Sequence, residues 1–366
     1  MPTIPERVLS LIDESGLSRR DFGKQVGLDE SKMSKSLSGA RRFSSVDLAR
    51  IAEFSRVTVD WLITGEETPL TVAARTTTGE AGEALAAARS LLTLRSDVAS
   101  LGYLQGWSPI AMPAESLRYA VYGRDAAANA LARLDERGFR ILDEDLAAVI
   151  EGSFGVDVTV VEAGQGCDGL AASSDEAKLI VLATSQIPSR QRFTAAHELG
   201  HLLAGDDQGV HLDKDVYSPL QAKDPSEARA NAFAAAFLMP EAILSDAVGP
   251  GFDEAAFAAL ACHLLVTPTA LAIRLRDLRM IDSGLCDRLR SLSAGRAAGL
   301  AGKTEELARR VAEALRPRAP GLLLRDTYAA YVEGRATLRP YATLLGADVE
   351  SLRLALESES EGPDAT

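Results

Sequence analysis

Cysteine is scarce in this 366-residue chain: Cys167, Cys262 and Cys286 are odd in number and far apart, which excludes a disulfide framework and a cysteine-based zinc site. Long apolar runs are absent as well, none approaching the roughly 18 residues of a membrane span. The start Met1-Pro-Thr-Ile-Pro-Glu-Arg7 lacks the basic and apolar regions of a signal peptide, so the expectation is a cytoplasmic protein with no membrane partner. Positive charge is short, 39 Lys and Arg against 52 Asp and Glu for a net −13, so any nucleic-acid surface must be local. Aromatics are few, and the length exceeds what one compact core covers. Histidine is scarce too, four residues in all.

Two of those four fall in His197-Glu198-Leu199-Gly200-His201. Residues i and i+4 lie one above the other on a helix, so two imidazoles can close on one tetrahedral metal. Glu198 then points toward the metal's open side, where it can take a proton from an attacking water and pass it to the leaving amine. The flanking sequence reads as a helix capped by Ser189 and closed by Gly205, which puts the motif in the middle of the helix. Catalytic zinc needs a third protein ligand. Downstream, Asp224-Pro225-Ser226-Glu227 opens an alanine-rich helix that runs to Met239-Pro240, with Asn231 one turn after Glu227. Spacing alone leaves Glu227 either a ligand, with Asn231 bonded behind it, or a charge favoured at a helix N-terminus. His211, in a polar loop, is a candidate donor to the oxyanion, with Tyr217 a rival; His263, in an apolar stretch, reads as packed.

Arg190-Gln-Arg-Phe-Thr-Ala-Ala-His197-Glu-Leu-Gly-His201, followed by Glu227-Ala-Arg-Ala-Asn231-Ala-Phe-Ala, Phe237-Leu-Met-Pro240 and the helical pattern Val266-Thr267, Ala270-Leu271, Arg274-Leu275 and Leu278, resembles the ImmA/IrrE family of metallopeptidases over about residues 80 to 282. The resemblance implies Zn2+ held by His197, His201 and Glu227, with Glu198 as catalytic acid and base.

The N-terminus carries an independent pattern. Ser18 caps one helix to Val26, Gly27-Leu28 turns, and Asp29 caps a second helix to Leu37, with Phe22, Val26, Leu28, Met33 and Leu37 at core spacing. With Ile4 to Ile12, Val46 to Phe54 and Val57 to Ile63 this makes five helices and resembles the XRE/Cro-like repressor domain. From Ser18 to Arg42 seven bases (Arg19, Arg20, Lys24, Lys32, Lys35, Arg41, Arg42) face three acids (Asp21, Asp29, Glu30), a local excess suited to phosphates. The family's docking geometry implies Glu30, Ser31 and Lys35 toward base edges and Arg19, Arg41 and Arg42 on phosphates, with Lys32 among the DNA-facing residues. Glu30 would have to read a cytosine amine or be neutralised.

The expected fold class is α+β and mostly helical: a helix-turn-helix domain at 1–68, a linker at 69–79, a zincin-like domain with a small sheet at 80–282, a helical region at 283–356 and a disordered acidic tail at 357–366. Long helices are expected over Glu80 to Leu104 and Ala114 to Ile150, and strands at Val156 to Val161 and Lys178 to Leu182. Gly164-Gln-Gly-Cys-Asp-Gly169 fits a dinucleotide fingerprint, yet eight residues before the next strand leave no room for the crossover helix, and it reads as a hairpin or edge loop. Cys167 within it is either an ordinary thiol or a redox-sensitive one. The functional expectation is a DNA-binding regulator with a zinc endopeptidase domain that cleaves a repressor-type protein, its partners an operator duplex, that substrate and a second copy of the chain. The alternatives are a transcription factor whose zinc domain senses a ligand without turnover, and an antitoxin-like binding module.

Overall fold

A computed structural model of the chain describes residues 3–55, 57, 59–65, 82–113, 118–142, 145–163, 167–174, 176–206, 211–213 and 224–360. The chain divides into two compact units, Met1–Leu70 and Thr71–Thr366. The expected linker, Tyr217 and residues 361–366 of the expected tail lie outside the described residues.

The first unit is five helices: α1 (Ile4–Ser15), α2 (Arg19–Gln25), α3 (Glu30–Leu37), α4 (Ser45–Ser55) and α5 (Val59–Thr64). Ser18 accepts from the Asp21 amide and Asp29 from the Lys32 amide, which supplies partners for exposed N–H groups at the starts of α2 and α3. Gly27, at φ +68°, makes the turn between them. Val8, Phe22, Val26, Met33, Ile51 and Leu62 form the core. Buried Arg7 bonds the carbonyls of Leu62 and Ile63, tying α1 to the end of α5.

The second unit begins with α6 (Gly82–Ser100), α7 (Tyr119–Arg137) and α8 (Leu146–Phe154). The first long helix expected there ends early, with Gly102 at left-handed φ two residues past its end, and the second is split into α7 and α8, with left-handed Gly138 closing α7. Four strands follow rather than two: β1 (Asp157–Val161), β2 (Gly169–Ser173), β3 (Lys178–Ala183) and β4 (His211–Asp213), in the order β1-β3-β2-β4. β1 and β3 are parallel, with Asp157 opposite Leu179, and β2 is antiparallel to both β3 and β4. The glycine-rich stretch is therefore not a hairpin. β1 and β2 do not pair with each other, and Gly169 opens β2; residues 164–166 lie outside the described residues. Val158, Val160, Ala171, Ile180 and Leu182 join the main helical core, and the intervening Leu170, Leu179 and Val181 are buried too, so both sheet faces are covered.

Three helices position the site: α9 (Pro188–Ala204), α10 (Pro225–Leu238) and, behind them, α7. α9 starts one residue before the expected cap: Pro188 occupies its first turn with fixed φ, and Ser189 lies inside the helix rather than capping it. Gly205, at φ +70°, ends it. The remaining helices are α11 (Glu241–Ala247), α12 (Glu254–Leu264), α13 (Pro268–Asp277), α14 (Ser283–Leu289), α15 (Ala294–Leu300), α16 (Thr304–Ala314), α17 (Gly321–Val332), α18 (Arg339–Leu345) and α19 (Val349–Ser360). The stretch after residue 283 is built into the same unit: Arg318 pairs with Val160 at the free edge of β1, and buried Arg95 of α6 bridges Asp157 of β1 at 2.8 Å and Asp326 of α17 at 2.5 Å. Residues 357–360, expected as tail, continue α19. No single helix among the described residues is long and apolar enough to cross a membrane.

Candidate metal centre

His197 and His201 stand one turn apart on α9, and both are fully buried, as is Glu198 between them. Such polar groups are costly to bury unless something compensates them. The two imidazole Nε2 atoms converge to 3.0 Å. α10 brings Glu227 from its first turn, with Oε2 at 3.3 Å from His197 Nε2 and Oε1 at 3.4 Å from His201 Nε2. Asp224 caps α10 by accepting from the Ser226 amide, and this sets where Glu227 begins the helix. Among the described residues, His197, His201 and Glu227 are the group of three ligating side chains whose donor atoms lie within 4.8 Å of one another.

The donor set fits a tetrahedral metal. Zinc–ligand bonds of 2.0–2.1 Å place adjacent ligand atoms about 3.3 Å apart, and the three separations fall around that value. Two neutral imidazoles and one carboxylate are also a common ligand set for catalytic zinc. Burial raises the cost of ionising Glu227, yet hydrogen bonds to His197 and His201 hold its carboxyl well below the usual range. For His201 without a metal, burial likewise opposes the charged form, and hydrogen bonds to Asp206 and Glu227 outweigh it, raising the imidazole to about 9, so binding a metal must displace a proton from Nε2 and leave the ring neutral.

Close helix packing makes this convergence possible. A Cβ on Gly200 would meet the Phe233 ring at 3.0 Å, so the glycine between the histidines lets α9 lie against α10. α10 also packs closely on α7, where a Cβ on Gly123 would come within 2.3 Å of the Arg229 carbonyl oxygen. Behind the histidines lies a contact that the sequence reading did not anticipate. Asp206, just past the end of α9, places Oδ2 at 3.3 Å from His201 Nδ1, while Arg229 of α10 donates through Nη2 to Asp206 Oδ1.

The other candidates are placed less centrally. Asn231 is half-buried one turn after Glu227. The backbone of His211 pairs with Ala171 at the β4 edge, and its side chain lies outside the described residues. His263, expected as packed, is exposed on α12, whose buried face is formed by Phe257, Leu260, Ala261 and Leu264. Cys167 is buried, its thiol 3.6 Å from the Gly169 carbonyl oxygen, and Asp168 beside it pairs with Arg190. In the first unit Arg19, Glu30, Ser31, Lys32, Lys35 and Arg42 are all exposed along α2, α3 and the turn after α3. Arg41 is not fully available: it bonds Asp47 at 2.8 Å and the Ser36 hydroxyl at 2.9 Å.

Residues 151–276 match the family described as the IrrE N-terminal-like domain, Peptidase_M78, a span that contains His197, Glu198, His201 and Glu227. The chain is also similar to the radiation response metalloprotease IrrE of Deinococcus radiodurans, 36% identical over 124 residues, 34% of this chain and 35% of that protein. It is 35% identical over 127 residues to the radiation response metalloprotease IrrE of Deinococcus deserti, 33% of this chain and 44% of that protein. The chain thus covers less than half of the length of the relatives it matches.

Proposed function

We propose that the second unit is a zinc-dependent endopeptidase and that the chain is a regulator joining it to a DNA-binding first unit. The convergence of His197, His201 and Glu227 around one point, with Glu198 buried on the same helix turn, is the observation that carries this reading. The metalloprotease relatives support the chemistry, and the exposed basic residues on α2 and α3 support the duplex partner. A zinc ion held by the three side chains supplies a Lewis acid that polarises the scissile carbonyl and acidifies water.

The protein residues then have separate tasks. His197, His201 and Glu227 fix the position of the centre. Glu198 accepts the proton of the attacking water and returns it to the departing amine nitrogen, which must leave as a neutral amine. The proposed substrate is a protein, of the DNA-binding repressor type, whose loss relieves repression under stress. Incubating the purified chain with candidate repressors from its own genomic neighbourhood, wild type beside Glu198→Gln, tests the proposal. The amide keeps the shape but does not take the proton, so cleavage should fall by roughly 100- to 10,000-fold while zinc remains bound. Equal cutting by both proteins would remove Glu198 from the chemistry, and regulation of a target promoter by Glu198→Gln without any cut protein would favour a sensing role.

A further inference from the structure

Asp206 does not join the ligand cluster, although it lies beside it. Its Oδ2 faces Nδ1 of His201, the ring nitrogen opposite the one that meets His197 and Glu227. Its other oxygen accepts from Arg229. Arg229 is two residues after Glu227 on α10, and its guanidinium lies 5.5 Å from the centre of the Tyr122 ring on α7. The close approach at Gly123 sets the Arg229 backbone against the same helix. One short stretch of α10 therefore supplies a ligand carboxylate and, through Asp206, the group behind another ligand.

We propose that Asp206 and Arg229 are positioning residues for the metal centre: Arg229 holds Asp206, and Asp206 holds the His201 ring in the tautomer whose lone pair lies on Nε2, toward the metal. This rests on the metal reading of the cluster. An imidazole with its proton on Nδ1 presents a lone pair at Nε2, and a carboxylate accepting from Nδ1 fixes both the tautomer and the ring plane. Asp206 alone could rotate about its side-chain torsions; with one oxygen taken by Arg229, only the other remains for His201. The side chains of Asp206 and Arg229 are 16% and 20% exposed. A pair so largely removed from water gains little net stability from its charges, because desolvation offsets much of the attraction, so its main consequence is geometric.

The test uses the full chain and zinc alone. Zinc dissociation constants are measured by competition with a chromophoric chelator for wild type, Asp206→Ala and Arg229→Met, alongside melting of the metal-free proteins. A proton–nitrogen NMR spectrum of the zinc-loaded forms reads the imidazole N–H of His201. Asp206→Ala should weaken zinc binding by roughly 10- to 100-fold and Arg229→Met by about tenfold, with the slowly exchanging Nδ1–H signal lost in the first. Affinities within twofold of wild type in both variants, or an Nδ1–H signal that persists in Asp206→Ala, would overturn the proposal. If Asp206→Ala does not fold, the affinity of Arg229→Met and its Nδ1–H signal decide. A wild type that takes up no zinc overturns the metal reading itself, and this proposal with it.

Discussion

His197 Nε2 and His201 Nε2 lie 3.0 Å apart at full burial, two ring nitrogens on successive turns of α9 facing the same point as the Glu227 carboxylate. A cation placed among them replaces mutual crowding with shared coordination, so binding should be linked to folding. One zinc ion per chain is expected. At a free concentration 100 times the dissociation constant it should stabilise the second unit by about 2.7 kcal/mol relative to the chelated protein. His201→Ala and Glu227→Ala should each abolish that increment. Thermal melts with zinc and with chelator, together with metal analysis, measure it; an increment that survives Glu227→Ala removes that residue from the ligand set.

Gly123→Ala should destabilise the protein although alanine favours a helix by about 1 kcal/mol over glycine. The new methyl would meet the Arg229 carbonyl oxygen, a backbone atom that cannot rotate away, so α7 and α10 must separate. Overpacking of this kind costs on the order of 1–3 kcal/mol or more. Zinc affinity should fall with stability, because the displaced helix carries Glu227. A denaturation midpoint at or above that of wild type would show that the two helices have slack.

Much of the metal site is local in sequence, and that part was readable. The i, i+4 histidines with Glu198 between them need only a helix, and Pro188, Gly205 and Asp224-Pro225 mark the ends that matter. Asp206 and Arg229 are 23 residues apart and meet only when α9 and α10 pack, so no period or cap announces them. β2 reads Gly-Leu-Ala-Ala-Ser, with no β-branched or aromatic residue, and is a strand because β3 and β4 pair with it on both sides. The Arg95–Asp326 contact spans 231 residues of sequence and binds a C-terminal stretch whose helical pattern alone suggests a separate module. The end of α7 at Gly138 has a local signal in the glycine itself, but helical pattern resumes at Leu146 and masks the break.

In the first unit the structure separates residues that composition treats alike. Lys35 and Arg42 are exposed, whereas Arg41 is held by Asp47 and Ser36. With the full chain on an operator duplex, Arg42→Ala should therefore weaken binding to all sequences and reduce the dependence of log affinity on log salt by about 0.9. Lys35→Ala should narrow the gap between operator and unrelated duplex. Arg41→Ala should lower the melting temperature of this unit more than it changes the salt slope, since it strips Asp47 of a partner. Binding isotherms at three salt concentrations measure these outcomes, and identical salt slopes for wild type and Arg42→Ala would take that residue off the phosphates.

Arg95 lies between two buried carboxylates, Asp157 and Asp326; Arg325 also pairs with Asp326 at 2.7 Å, while Gln105 and the Leu323 amide donate to Asp157. Arg95→Met takes from buried Asp157 its paired cation and leaves Asp326 to Arg325 alone, and should cost about 3–5 kcal/mol. Burial pushes the Asp157 carboxyl from its ordinary value near 3.8 up to about 6, against the pull of Arg95 and Gln105 and with the nearby Glu151 charge adding to the rise. Between those values the folded chain holds a proton that the unfolded chain has released. Stability from this group therefore falls as pH rises from about 4 to about 6 and is level above that. Asp157→Asn removes the titration, so the difference in unfolding free energy, wild type minus variant, should drop by roughly 2–3 kcal/mol across that window, whatever its absolute size. Chemical denaturation of both proteins at pH 4, 5, 6 and 7 gives that difference directly. A flat profile would mean that Asp157 keeps an ordinary carboxylate in the fold, and that Arg95 and its hydrogen-bond donors fully offset its burial.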